Sequence, residues 1–223
     1  TYRIEIATDV PSVARLIIKL LHELYHLKTE LTVRRSVLHK TPNYLIEVPA
    51  QPHLADALRD MGVLSEEGGL ELGIKEGLVA KECCTAAYLR GAFLGSGFVS
   101  DPRGDFHFEV TVESEDLAEG LVELLDRKGI NARVMQRRSS FMVYLKSGSA
   151  ILEFLAFTGA HQSALSMENA RVIKSVRNDV NRMTNAEIAN QAKAASASVD
   201  QIYAIREAWR TCPRRCRSSY ACA

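Results

Sequence analysis

Hydrophobic and polar positions change period along the chain in an order that occurs twice. Tyr2-Arg3-Ile4-Glu5-Ile6 alternates as a half-buried strand does, and Phe106-His107-Phe108-Glu109-Val110 repeats the alternation with Glu in the matching slot. After each, apolar residues move to helical spacing. Val13, Leu16, Ile17, Leu20, Leu21 and Leu24 fall on one helix face in the first copy, and Leu117, Leu121, Leu124 and Leu125 in the second. Asp9 and Ser114 are placed to act as N-caps. Two strands then follow in each copy, the first ending in paired arginines: 31–35 and 44–48, then 132–138 and 141–146. A short helix closes each copy, near 53–61 and 150–157.

The second copy also opens with a helix, residues 82–97, reading ECCTAAYLRGAFLGSG. Self-similarity predicts a counterpart beginning about two dozen residues before Thr1. The expected architecture is a mixed α/β (α+β) fold of two αββαββα repeats, 1–80 and 81–160, forming a saddle, the first without its leading helix. A helical linker, 161–209, and an atypical tail, 210–223, complete the expected order.

Composition narrows the function classes. The 223 residues carry a formal net charge of +1, so no overall field draws the chain to nucleic acid, and a DNA-binding reading has to rest on local patches. The apolar stretch at 16–21 is broken by Lys19, far short of a membrane span. Cys83 and Cys84 sit in an apolar helical pattern, as buried reduced thiols do. Cys212, Cys216 and Cys222 have neither CxxC spacing nor a nearby His, and the six histidines are scattered, so no metal or other cofactor is expected. A reducing cytoplasm fits this cysteine usage.

Within the extra helix, Leu89-Arg90-Gly91-Ala92-Phe93-Leu94-Gly95-Ser96-Gly97 lies over the motif LAGLIDADG, keeping its first Leu, its third-place Gly and its closing Gly. The segment resembles the LAGLIDADG homing endonucleases. Gly91 and Gly95 lie one turn apart, so a second helix could approach backbone to backbone, and a mid-helix Gly91 otherwise costs about 1 kcal/mol relative to Ala. In that family this face packs on the same helix of the other repeat. Active members hold a divalent metal with the motif's final acidic residue, and here that slot is Ser96. A neutral hydroxyl is a poor ligand for a hard cation. Asp101-Pro102-Arg103-Gly104 reads as a turn, so Asp101 is no replacement, and no catalytic residue is assigned.

A narrower resemblance rests on YLRGAFLGSG at 88–97, VYLK at 143–146, the segment 159–168, and above all RNDVNRMTNAEIANQAKAA at 177–195. These are similar to the WhiA family, bacterial regulators that join a degenerate LAGLIDADG domain to a helix-turn-helix. The likeness runs from Tyr2 to about Ile205. It implies a cytoplasmic, nucleoid-associated protein acting in transcription control of cell division, chromosome segregation or sporulation. The helix-turn-helix is not in this chain. From Trp209 the sequence reads WRTCPRRCRSSYACA, without helical period, as an out-of-frame continuation would.

Arg34, Arg35, Arg137 and Arg138 fall at matching hairpin ends and, with Lys146, are the candidate DNA contacts; they would meet phosphates without reading bases. Solvated hairpin tips account for them equally well. Glu5, Glu47 and Glu109 share the polar sheet face with Arg3 and His107 and would repel a phosphate backbone. On the linker, Arg177, Asn178, Asn181, Arg182, Asn185 and Asn190 form a polar seam, either docking on another module or touching DNA. Glu168, Asp179 and Glu187 dilute its charge and favour docking. So many Asn in a helix call for buried hydrogen bonds, caps or a helix break. The preferred reading is a non-cutting, DNA-associated regulator that binds DNA weakly and meets other regulatory proteins, with no membrane role. The alternatives are a residual homing endonuclease or maturase using an acid outside this segment, and an interaction scaffold that never touches DNA. The Gly91 and Gly95 face leaves room for a dimer.

Overall fold

The computed structural model describes residues 2–35, 42–102 and 104–211, which divide into two compact units, Thr1–Glu168 and Asn169–Ala223. The 212–223 part of the tail, with its three cysteines, lies outside the described residues.

In the first unit, β1 (Ile4–Thr8), α1 (Pro11–Tyr25), β2 (Glu30–Arg35), β3 (Pro42–Val48) and α2 (Leu54–Asp60) make the first repeat. After a 3₁₀ turn at Glu76–Leu78 come α3 (Glu82–Ser96), β4 (Gly97–Val99), β5 (Phe108–Val112), α4 (Glu115–Asp126), β6 (Arg133–Arg137), β7 (Ser140–Leu145) and α5 (Gly148–Phe157). Two antiparallel sheets result, ordered β1-β3-β2 and β4-β5-β7-β6. With β4 set aside, the orders match strand for strand, so the repeat read from hydrophobic period is a repeat of topology. The second copy is a full αββαββα unit.

Both leading strands start two residues later than their alternation suggests, at Ile4 and Phe108. Their partners set the limit. Ile4 pairs with Val48, which precedes Pro49, and Phe108 pairs with Leu145, just before the cap of α5 at Ser147. Proline has no N–H to extend a ladder.

Alternate sheet residues and the helices build two cores. The larger joins Phe108, Val110, Val143 and Leu145 to Leu121, Leu124 and Leu125 of α4 and to Ile151 and Phe154 of α5. The smaller joins Leu21, Leu27, Val48, Leu54, Leu58 and Leu64. The helix face expected in the first copy is only partly its core. Val13, Ala14 and Leu21 are buried, whereas Leu16, Leu20 and Leu24 stay 44%, 43% and 65% exposed. The matching face of α4 shows why: at Gly120, six residues past its cap as Leu16 is in α1, a Cβ would come within 3.0 Å of Ile74, so the segment before α3 covers α4 there. No described residue plays that part over α1.

Ser114 caps α4 as expected, its Oγ accepting from the Leu117 N–H at 3.5 Å. Asp9 does not cap α1. The cap position is Val10, and Pro11 at the first helical position removes one of the donors that a cap would have satisfied.

The linker forms one helix, α6 (His161–Thr211), and only Met167, in the first unit, is buried along it. Within the second unit the helix runs unbroken through Asn178, Asn181, Asn185 and Asn190, all exposed. Their presence is therefore explained neither by burial, nor by capping, nor by a break. Among the described residues no helix is long and apolar enough to cross a membrane.

One polar tie joins α1 to α2. The Tyr25 hydroxyl donates to Asp60 Oδ2 at 2.7 Å, and burial together with that carboxylate pushes the phenol from 10.0 to about 12. A phenol whose pKa rises on folding stabilises the fold below its unfolded value and loses that contribution as pH climbs through the folded one. Urea titrations of Tyr25→Phe should show a loss of about 1 kcal/mol at neutral pH. That difference from the parent should vanish between pH 10 and about 12.

Candidate nucleic-acid interface

The motif helix α3 lies on its sheet through Thr85, Ala86 and Leu89, with the Thr85 hydroxyl donating to Val79 O at 3.0 Å. The opposite face, Cys83, Ala87, Gly91, Leu94 and Gly95, is exposed, and nothing stands within 4 Å of a Cβ built on Gly91 or Gly95. Cys83 is thus exposed where its apolar setting predicts burial. It sits one helical turn before Ala87 on the face turned away from the sheet, while Cys84 is half-buried.

Gly97 has a different purpose from the small residues above it. Its backbone is extended, φ −85°, so it is no left-handed cap; a Cβ there would lie 2.2 Å from the Phe93 ring and 2.5 Å from the Phe93 carbonyl oxygen. Only glycine lets the chain leave the helix at this point. Ser96, the last residue of α3, is exposed at its foot. Asp101 lies in a turn closed by the Gly104 N–H donating to its carbonyl at 3.0 Å. Among the described residues no three His, Cys, Asp or Glu side chains gather as a metal site.

The arginine pairs lie where the two hairpins are expected. Arg34 is exposed on β2 opposite Asn43, and the backbone of Arg35 pairs with Pro42; the tip at 36–41 lies outside the described residues. In the second hairpin Arg137 pairs with Ser140 across a two-residue loop. Arg138 opens that loop in the left-handed region at φ 58°, a conformation that costs a non-glycine residue on the order of 1 kcal/mol. Lys146, just past β7, is exposed, its Nζ 5.3 Å from the centre of the Tyr144 ring. The seam residues Arg177, Asn178, Asn181, Arg182, Asn185 and Asn190 are all exposed on α6.

The sheets also have outward faces of opposite character. On the first, Arg3 bonds both Glu5 at 3.0 Å and Glu47 at 2.8 Å, and Glu30 stands opposite Glu47. On the second, register aligns Phe98, Glu109, Tyr144 and Arg133 in one row across all four strands, with Met135 and Arg137 further along β6. Here the lone carboxylate, Glu109, is held by His107 Nε2 at 2.8 Å. Phe98, Arg133 and Tyr144 are not among the residues that sequence reasoning picks out. The in-phase spacing of 133, 135 and 137 is the one signal for them, and the paired arginines beside it are the louder one.

Fold and motif helix together define a tandem-repeat protein of LAGLIDADG type with serine at the foot of motif helix α3. Residues 1–64 match the WhiA N-terminal LAGLIDADG-like domain and residues 85–177 the WhiA LAGLIDADG-like domain. The chain belongs to the WhiA family. It is 39% identical over 205 residues to the probable cell division protein WhiA of Clostridium novyi, covering 90% of this chain and 65% of that one. To its namesake in Heliobacterium modesticaldum it is 41% identical over 202 residues, covering 90% and 63%. The chain thus spans under two thirds of the length of these relatives. The crystal structure of full-length DUF199/WhiA from Thermatoga maritima aligns with a TM-score of 0.66 at 22% identity, covering 94% of this chain and 66% of that one. The N-terminal LAGLIDADG domain of DUF199/WhiA aligns at 0.55 and 23%, covering 70% of each. At such identities the likeness establishes the fold.

The glycines of α3 should separate by role in thermal and urea unfolding. Gly97→Ala should cost about 2 to 3 kcal/mol, because the colliding carbonyl belongs to the backbone and cannot swing away. Gly91→Ala should instead gain up to about 1 kcal/mol from helix propensity. Equal effects at both positions would contradict this division.

Proposed function

We propose that this chain is the non-cleaving, DNA-associated portion of a WhiA-type regulator acting in cell division, with transcription control, chromosome segregation or sporulation as its setting and the nucleoid as its place. The observation that carries the reading is Ser96. Metal-assisted phosphodiester hydrolysis needs a carboxylate to anchor the cation, and this scaffold offers an alcohol at the foot of the helix where its catalytic relatives place the acid. DNA association draws on Arg34, Arg35, Arg137, Arg138 and Lys146, which would hold phosphates and position the protein without reading sequence. Arg138 supports that use, because a strained left-handed position otherwise suited to Gly or Asn carries a long cation. The polar seam on α6 is assigned to docking against other modules or regulatory proteins.

Incubated with supercoiled plasmid and magnesium, the protein should leave the plasmid intact while retarding it at low salt. Replacing both Arg137 and Arg138 with Ala should weaken duplex binding and flatten the slope of log K against log salt by about two, one for each phosphate no longer neutralised. Nicking would establish the residual-nuclease alternative. A complete lack of salt-dependent binding would favour the interaction scaffold.

A further inference from the structure

The two repeats share a topology but not a surface. On the first sheet's outward face, Glu5, Glu30 and Glu47 outnumber Arg3 and Arg34, and the strands place no aromatic ring there. On the second, Arg133 and Arg137 are exposed on β6 and Lys146 is exposed beside Tyr144. Phe98, on the short edge strand β4, is 54% exposed, its ring 6.5 Å from that of His107. An edge phenylalanine left in water, with cations two and three strands across the same face, suits an extended ligand that carries both flat apolar groups and negative charge.

We propose that the outward face of the β4-β5-β7-β6 sheet binds unpaired, single-stranded nucleic acid, with bases stacking on Phe98 and Tyr144 and phosphates meeting Arg133, Arg137 and Lys146. This rests on the DNA-associated reading above and narrows it to one sheet and one form of the polymer. Three features favour the single strand. In a duplex the base faces are already stacked on one another, so Phe98 would gain nothing, whereas an unpaired base offers its π-face to any ring. Phe98 and Tyr144 stand in one cross-strand row, two strand spacings or about 10 Å apart, far enough to serve separate bases. Between them Glu109 would repel a duplex backbone, yet a carboxylate accepts from the exocyclic amino group of an unpaired base, an edge that pairing otherwise occupies. The first sheet's outward face has carboxylates but no ring on which a base could stack, so it takes no part in the stacking.

Fluorescence anisotropy on the whole chain, with a labelled mixed-sequence single strand and the duplex of the same length, tests this. The single strand should bind at least about tenfold tighter than the duplex. Phe98→Ala and Tyr144→Ala should each weaken single-strand binding by about five- to a hundredfold with an unchanged salt slope. Arg133→Gln should lower that slope by about 0.7, and Lys19→Gln, an exposed cation on α1 outside the proposed contacts, should alter neither. Phe98→Leu keeps the apolar volume but not the ring; unchanged unfolding with lost binding would assign the effect to stacking. Duplex binding as tight as single-strand binding, or indifference to Phe98→Ala, overturns this proposal and leaves the broader DNA-associated reading standing. Failure to bind either polymer overturns both.

Discussion

Phe108 is the point at which the second repeat is held together. It is fully buried on β5, stacked at 5.1 Å on Phe93 of α3 and tilted at 4.5 Å against Phe154 of α5. Aromatic clusters of this kind combine large buried area with defined geometry. Because Phe93 is pinned there, the chain leaving α3 has to pass its ring and carbonyl closely, which only Gly97 permits. Ser96 is thereby fixed at the helix foot, and Phe98, one residue beyond Gly97, is turned to the opposite side of the sheet. Ser96 and Phe98 are both placed by a core packing in which neither takes part.

That coupling explains what can be read from the sequence alone. Alternation decides each strand's inward face, and a one-residue slip would reverse it. The repeat then follows from two runs with Glu in the same slot, and Ser114 announces its cap by residue type. What is not legible depends on neighbours remote in sequence. Leu16, Leu20 and Leu24 have an ideal helical period, but period says only that residues share a face, not that something covers it. Gly120 and Ile74 supply the cover in the second copy, and no local pattern links 74 to 120. Cys83 fails for the same reason: one turn of α3 faces the sheet and the next residue round faces away. Asp9 loses its role to Pro11, a competition between two sound local rules.

The candidate site is legible as charge and not as surface. Paired arginines stand out in a sequence, so Arg137 and Arg138 are picked out as candidates. Arg133 and Tyr144 need the β6 and β7 register before they can be seen as opposite one another. Phe98 looks like the continuation of a helix motif, and only the strand that begins at Gly97 makes it an outward-facing ring. The seam on α6 is legible as polarity, and an exposed helix of that composition is compatible with a partner without specifying one.

Two separable constraints meet on the same few residues of this chain. A nuclease needs the helix foot for an acid, while the fold needs the next residue to be glycine. The residue at position 96 and the glycine at 97 answer to different demands, since the approach of Gly97 to Phe93 involves no charge. An alcohol at position 96 therefore costs the scaffold nothing in packing, because Ser96 is exposed. The outward faces are equally independent of the packing, so the first sheet carries carboxylates and the second an exposed ring without disturbing either core. The charge asymmetry between two repeats of one topology is therefore a difference of surface, laid over a shared fold.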